Sequence, residues 1–253
     1  MFIESVHNAV IKLIVSLKEK KNRDERALFV VEGFKQVTEI PEDWNVKFIL
    51  TTKKYQDFKA EEVYITTDKI FKKISGTKTP QEILAVVEKK HNAMEKVLSD
   101  KGLFIITDTL QDPGNMGTII RTAEAFGAKG IFVSKNSADV YSDKVVRATM
   151  GAIFNIPIIC ECDVMSLIQT LKQKQIKTYA FSLDAKTGLT DTEFSNSVAI
   201  IIGNESKGIS KNILDVVDSK VKIDMTGKSQ SLNASVACSI AIYEISKQLN
   251  RNK

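Results

Sequence analysis

Two α/β parts in tandem are what the sequence predicts: a small α/β unit, followed by a largely parallel sheet with helices on both faces. Three features of the 253-residue chain point there. In the second half, near-continuous Ile/Val runs alternate with helical patterns, which is how strands buried on both faces read. In the first half, shorter apolar runs are separated by short helical patterns. Between them, EKKHNAMEKVLSDKG at 88–102 is charged and lacks a strand pattern, so it reads as a linker compatible with a helix. The expected division is 1–98 and 99–253.

The elements follow in order. Val6, Val10, Leu13 and Leu17 recur at helical spacing over 5–18, and the polar run KEKKNRDERA interrupts that pattern. Strand-like runs at 27–31, 46–50, 63–66 and 83–87 come next, with candidate helices at 34–40 and 67–74. Beyond the linker, apolar runs at 103–107, 130–133, 156–159, 177–182, 198–202 and 220–223 alternate with helical patterns at 116–126, 163–174 and 233–249. No internal repeat or low-complexity tract breaks the alternation.

Composition narrows the chemistry. At 43% hydrophobic and 26% charged, the chain is ordinary globular material, neither collagen-like nor disordered. No run approaches the ~20 apolar residues of a membrane span. The start shows no basic stretch leading to an apolar block and cleavage site, so a cytoplasmic protein without membrane partners is expected. Cys160, Cys162 and Cys238 form no CxxC pair, which indicates neither a disulfide framework nor structural zinc; reduced, inert thiols and no metal are expected. With His7 and His91 the only histidines, a His-bearing triad is excluded unless one of them enters the site. A net charge of +5 permits a polyanionic partner without demanding one.

Ligands of such sheets sit beyond the carboxyl ends of the strands, and three loops stand there. The first reads DTLQDPGNMGTIIR from Asp108 to Arg121. Pro113 and Gly114 make a turn, and Asn115 is a candidate cap for a helix whose Ile119, Ala123 and Phe126 face a core. Arg121 lies about 200° from Ile119 and points away from that stripe; its bland alternative is a surface pair with Glu124. The second, GNESKGI from Gly203, puts glycine at a strand end where a ligand can approach, with Glu205 as an acceptor; an ordinary strand-to-helix turn is the alternative. The third runs from Val221 through a polar Gly/Ser-rich stretch into a helix that starts almost wholly apolar, at Ala234, Val236, Ala237, Ile240 and Ala241. That helix is expected in the core or against a partner subunit. Ser231 or Asn233 as a mere N-cap is the alternative reading.

Together these residues resemble the SpoU (TrmH) RNA 2′-O-ribose methyltransferases of the SPOUT superfamily. The family's first motif, Asn-x-Gly-x-x-x-Arg, is matched by Asn115, Gly117 and Arg121, and its second, Gly-x-Glu-x-x-Gly, by Gly203, Glu205 and Gly208. The third is matched by Ile223, Met225, Gly227, Ser231, Leu232, Asn233, Ser235 and Ala237. Motifs in the family's order, each after a strand, make the resemblance specific, and it covers most of the chain. ALFVVEGFKQVTEI and SGTKTPQEILAVV also look like the family's N-terminal substrate-binding domain, a small ribosomal-protein-like α/β RNA binder. Asp224 departs from the family's usual Pro, and Ser206 stands where many members have Gly.

The resemblance implies a deep trefoil knot in the second half, with S-adenosylmethionine bound among the knotted loops. Gly203, Gly208, Ile223, Met225 and Leu232 would hold it. Arg121 would take the principal catalytic role, with Asn115, Glu205, Ser231 and Asn233 as positioning groups. RNA is the implied substrate, ribosomal RNA first and transfer RNA second, and a homodimer is the implied assembly. A non-catalytic RNA-binding or ribosome-assembly protein of the same fold is the rival from another class. For RNA contact in the front half, Lys12, Lys18, Lys20, Lys21, Arg23 and Arg26 offer a basic cluster, and Phe2, Trp44 and Tyr55 offer rings; a solvated face and core packing are their ordinary meanings.

Overall fold

The computed structural model describes residues 1–53 and 60–251. They form two compact units, one of Met1–Lys90 with Asp139–Phe154, the other of His91–Ala138 with Asn155–Lys253.

In the first unit the chain runs β1 (Phe2–Ile3), α1 (Ala9–Ser16), α2 (Lys20–Arg26), β2 (Leu28–Glu32), α3 (Phe34–Thr38), β3 (Val46–Thr51), β4 (Glu62–Thr66), α4 (Asp68–Ile74) and β5 (Ile83–Glu88). The strands lie in the order β1-β4-β3-β5-β2, with β5 antiparallel to both neighbours and the other pairs parallel. Asn8 sets the start of α1: its Oδ1 accepts the Val10 amide at 2.8 Å, so the helix opens later than apolar periodicity suggests. Ile11, Ile14 and Leu17 then pack with Ile70, Phe71 and Ile74 over one face of the sheet, each burial stabilising by roughly 1.5–3 kcal/mol.

The polar run after α1 is itself helical. Having no apolar stripe, α2 carries the pairs Lys20–Asp24 at 2.9 Å and Lys21–Glu25 at 3.8 Å, and it ends at Ala27 in the left-handed region. Half of the expected basic cluster is therefore committed to carboxylates, because Arg23 is committed too. Its side chain is 4% exposed, ion-paired with Asp139, and donates from Nη1 to the Leu17 carbonyl at 2.6 Å.

The second unit opens with α5 (Met94–Val97), β6 (Leu103–Thr107), α6 (Pro113–Ala125) and β7 (Gly130–Ser134). The chain then supplies α7 (Asp143–Thr149) and a 3-10 turn (Ala152–Phe154) to the first unit. There Tyr141 and Phe154 meet Phe29 and Trp44 at ring-centroid distances of 4.9 to 6.4 Å, and Trp44 Nε1 donates to the Phe154 carbonyl at 3.1 Å. These rings close the sheet face opposite α1. Trp44 is thus core, while Phe2 is 56% exposed and Tyr55 lies outside the described residues.

Back in the second unit come β8 (Ile158–Cys162), α8 (Val164–Gln173), β9 (Lys177–Phe181), β10 (Thr187–Gly188), β11 (Val198–Ile202), α9 (Lys211–Leu214), β12 (Ser219–Lys222) and α10 (Ala234–Arg251). All seven strands are parallel, in the order β10-β12-β9-β11-β6-β7-β8. Phe104, Ile106, Phe132 and Ile201 face a core closed by Leu167, Ile168 and Leu171 of α8. The intervening Ile105, Ile131 and Ile200 are equally buried, as are Ile119 and Ala123 of α6 and Ala241 and Ile245 of α10, and α10 lies against α6 and β6. Both faces are covered, which is why the strands read as unbroken apolar runs. Pro157, with no amide to give to the ladder, delays β8 past the start its apolar run suggests. Burial pushes the Cys162 thiol up to about 11 and raises that of Cys238 as well, so both are poor nucleophiles. No helix among the described residues is long and apolar enough to cross a membrane.

Replacing Arg23 by Ala would strand the Asp139 carboxylate, itself 14% exposed on its side chain. The expected loss is about 3–5 kcal/mol, read by urea unfolding; a loss below about 1 kcal/mol would show that the pair behaves as an exposed one.

Candidate active site

Strands β6 and β11 are neighbours at the middle of the sheet, with β7 and β8 beyond one and β9 beyond the other. The gap above their carboxyl ends is a topological switch point. Two buried polar ties hold it. The Asp108 amide donates to the Ile202 carbonyl at 2.8 Å, and the Asp108 carboxylate accepts from the Ser210 amide and hydroxyl at 2.8 and 2.7 Å.

The first helix cap is Asp112, not Asn115. Its Oδ1 accepts the Asn115 amide at 2.8 Å, Pro113 occupies the first turn, and α6 begins three residues earlier than its apolar pattern. This frees the Asn115 side chain, only 7% exposed, for a different task. Its Nδ2 donates to Glu205 Oε1 at 3.0 Å, and its Oδ1 accepts from Asn233 Nδ2 at 3.0 Å and Ser235 Oγ at 3.1 Å. One amide thus joins the loops that follow β6, β11 and β12.

Glu205 completes the node by accepting the amides of Asp112 at 2.9 Å and Gln111 at 3.1 Å. Partial burial pushes its pKa up, but hydrogen bonds from the Asn115 side chain and the Asp112, Glu205 and Gln111 amides outweigh it and hold the carboxyl below its ordinary value. It is an ionised anchor rather than a proton acceptor. Asn233 does cap α10, its Oδ1 accepting the Ser235 and Val236 amides at 2.9 and 3.3 Å, and the same side chain reaches Asn115.

The loop after β11 is a tight hairpin in which Asn204 and Gly208 exchange amide bonds, both at 2.9 Å. Asn204 Oδ1 accepts the Ser206 and Lys207 amides, and its Nδ2 donates to the Thr109 carbonyl at 2.8 Å. Gly203 is required by the chain itself: a Cβ there would collide with the backbone of Gly208 and Ile209. Gly208 sits at φ +69.

Below these loops lies a cavity of about 470 Å³. Gly203, Gly208, Ile223, Met225 and Leu232 all line it, as do Glu205 and Ser231. Ile202, Ile209, Val221 and Ala237 add apolar wall, and the loop backbones supply polar groups. The size and mixture suit a nucleoside-bearing ligand. Asp224 does not line it; the carboxylate is exposed and lies 3.4 Å from Lys222 Nζ. Arg121, Asn115 and Asn233 are likewise off the cavity wall. Arg121 is exposed on α6, without the alternative ion pair to Glu124 or any other among the described residues. Asn204, Ser235 as a partner of Asn115, and the cavity-lining Asp184 and Lys207 are functional-site residues that the sequence does not single out. Only Asn204 carried a signal, as a turn-forming residue beside the required glycine.

Two family profiles match the chain. The profile of the SpoU rRNA Methylase family matches residues 102–243, and that of an MRM3-like substrate binding domain matches 8–85. The chain is similar to a 23S rRNA (guanosine(2553)-2'-O)-methyltransferase, RlmP, of Bacillus subtilis, at 32% identity over 96% of this chain and 98% of that protein. Among solved structures it resembles an AdoMet-bound rRNA methyltransferase from Sinorhizobium meliloti, at TM-score 0.86 and 27% identity over 98% of each chain. It also resembles the SpoU methyltransferase AviRb from Streptomyces viridochromogenes in complex with AdoMet, at TM-score 0.87 and 26% identity over 96% of this chain and 98% of that one.

Gly203→Ala is expected to break the hairpin and to lower thermal stability, whereas Gly227→Ala, whose added Cβ meets nothing within 4 Å, leaves it nearly unchanged; calorimetry on both decides. The Glu205 node has a pH signature. A carboxyl whose folded pKa is lowered contributes stability above its ordinary value of 4.5 and loses it as pH falls through the folded value. The stability difference between wild type and Glu205→Gln should therefore be constant above about pH 5.5 and shrink on acidification; a difference independent of pH would remove ionised Glu205 from the node.

Proposed function

The chain belongs to the SpoU rRNA methylase family, and on that premise we propose that it is an S-adenosylmethionine-dependent RNA ribose 2′-O-methyltransferase acting on 23S ribosomal RNA. The observation that carries the reading is that Gly203, Glu205, Gly208, Ile223, Met225, Ser231 and Leu232 line one cavity while Asn115, Glu205, Asn233 and Ser235 share one hydrogen-bonded node, in a chain similar over 96% of its length to an enzyme of that name.

In this reading Gly203, Gly208, Ile223, Met225 and Leu232 hold the cofactor, the apolar wall taking the adenosine and the loop amides and carbonyls reading its ring edge. When bound, the cofactor supplies an electrophilic methyl group on a sulfonium. The residues of the chain must align a ribose hydroxyl with that methyl and stabilise the charge that develops on its oxygen. Arg121 is the group for the second task. It is exposed and unpaired among the described residues, so it is available to a phosphate and an incipient alkoxide. A guanidinium is too weak an acid to act as a base, so its contribution is electrostatic. Asn115, Glu205 and Asn233 are positioning residues that fix the start of α6 and hence Arg121. Ser231, exposed at the cavity wall, offers a hydroxyl to the substrate side.

The assembly belongs to the same proposal. Val236, Ile240 and Tyr243 form an exposed stripe on α10, 46%, 38% and 54% accessible, and Phe126 meets Tyr243 edge-on at 5.6 Å. A second copy covering that stripe makes a homodimer, and Arg121, outside the cavity wall of its own chain, would serve a site completed between copies. A trefoil knot in the second unit, a division of labour near residue 98 with RNA selection in the first part, and a cytoplasmic location complete the reading.

Transfer of a tritiated methyl group from S-adenosylmethionine to 23S rRNA, mapped as ribose methylation in RNA from cells with and without the protein, tests it. Labelling of transfer RNA alone would reassign the substrate, and cofactor binding without transfer would leave a binding protein. Arg121→Ala is expected to lower turnover by ~100-fold or more while cofactor affinity stays within about twofold; unchanged turnover would remove Arg121 from the mechanism. Tyr243→Arg is expected to shift the sedimentation coefficient from dimer to monomer, and an unaltered dimer would place the interface elsewhere.

A further inference from the structure

We propose that Asp184 and Lys207 clamp the amino-acid end of the cofactor, Lys207 on its α-carboxylate and Asp184 on its α-ammonium. The inference rests on the cofactor reading above and adds the groups that distinguish a zwitterionic tail from a bare nucleoside.

Elimination among the charged residues of the cavity leads there. Its wall carries Asp184, Glu205, Lys207 and Lys222. Glu205 is occupied by the Asn115 side chain and the Gln111 and Asp112 amides. Lys222 lies 3.4 Å from Asp224, which is not part of the wall. Asp184 and Lys207 are left, opposite in sign, both exposed, and neither side chain has a hydrogen bond or ion pair among the described residues. The rest of the wall is apolar, backbone or uncharged polar, with Ser182, Asn204, Ser206 and Ser231, which suits an adenosine but offers no counter-charge to an ammonium or a carboxylate.

The fold puts this pair in adjoining places. Asp184 follows β9 and Lys207 follows β11, and these strands pair in parallel with Val198 opposite Lys177 and Ile201 opposite Ala180. Both loops therefore leave the same edge of the sheet side by side. Lys207 is presented on a fixed turn, its amide bound to Asn204 Oδ1 at 3.1 Å inside the hairpin that Gly203 permits. Asp184 sits within a turn closed by the Ala185 amide on the Ser182 carbonyl at 3.2 Å.

The test uses the full chain and two thioether nucleosides in calorimetric titrations. S-adenosylhomocysteine carries the amino-acid tail, and 5′-methylthioadenosine has the same adenosine and sulfur without it. Lys207→Ala and Asp184→Asn are each expected to weaken S-adenosylhomocysteine by about tenfold, the scale of one charge-assisted hydrogen bond, with 5′-methylthioadenosine unchanged within about twofold. Lys207→Arg should retain most of the affinity. Equal losses for both nucleosides, or none for S-adenosylhomocysteine, would overturn the clamp while wild-type binding keeps the cofactor reading intact. Failure of the wild-type chain to bind S-adenosylhomocysteine would overturn the cofactor reading itself.

Discussion

A single buried carboxamide organises the second unit. Asn115 has a donor and an acceptor that must both be satisfied away from water, since an unpaired buried amide costs about 1–3 kcal/mol. Its partners come from Glu205 on one side and Asn233 and Ser235 on the other. Three chain segments far apart in sequence are thereby fixed at one point, and the cavity below them inherits its shape from that constraint. Because Glu205 is ionised and receives only N–H donors, the node is charge-assisted and polarised toward the start of α6.

Much of this was legible from the amino acids. The parallel sheet showed itself in unbroken runs such as 103–107 and 198–202, which coincide with β6 and β11. Residues expected to hold a cofactor line one cavity, and the chain's family follows from the motifs that carried the resemblance. What stayed hidden has physical causes. Helix α2 is stabilised by ion pairs rather than by an apolar stripe, so periodicity is blind to it. Asn115 looked like a cap because it shares with Asp112, three residues earlier, a short side chain ending in an acceptor oxygen; only the hydrogen bond identifies which oxygen does the capping. The glycine at 203 serves the chain's own backbone, a clash that exists only after the hairpin has folded.

Charge tells a similar story at two scales. Net charge of +5 says little by itself, because the useful quantity is which charges remain uncommitted after folding. Arg23, Lys20 and Lys21 looked like a polyanion-binding cluster and are spent on Asp139, Asp24 and Glu25. Arg121, Asp184 and Lys207 are scattered in sequence and have no such partner among the described residues. Enzymes acting on charged ligands leave exposed charge where the ligand will supply the counter-ion, and its position is set by loops, which composition cannot locate.

The excursion of the chain through Asp139–Phe154 has a consequence for how the protein is born. Trp44 waits for the Phe154 carbonyl, and Phe29 for Tyr141, across more than a hundred intervening residues. The leading unit therefore remains unfinished on the translating ribosome until the first strands of the trailing one, β6 and β7, have already emerged. At typical synthesis speeds of ~5–20 residues per second, that interval lasts about 5 to 20 seconds, with the aromatic face of the sheet uncovered. Such long loop closures slow folding and invite chaperone capture. An otherwise modular pair of units is thus bound into one maturation event.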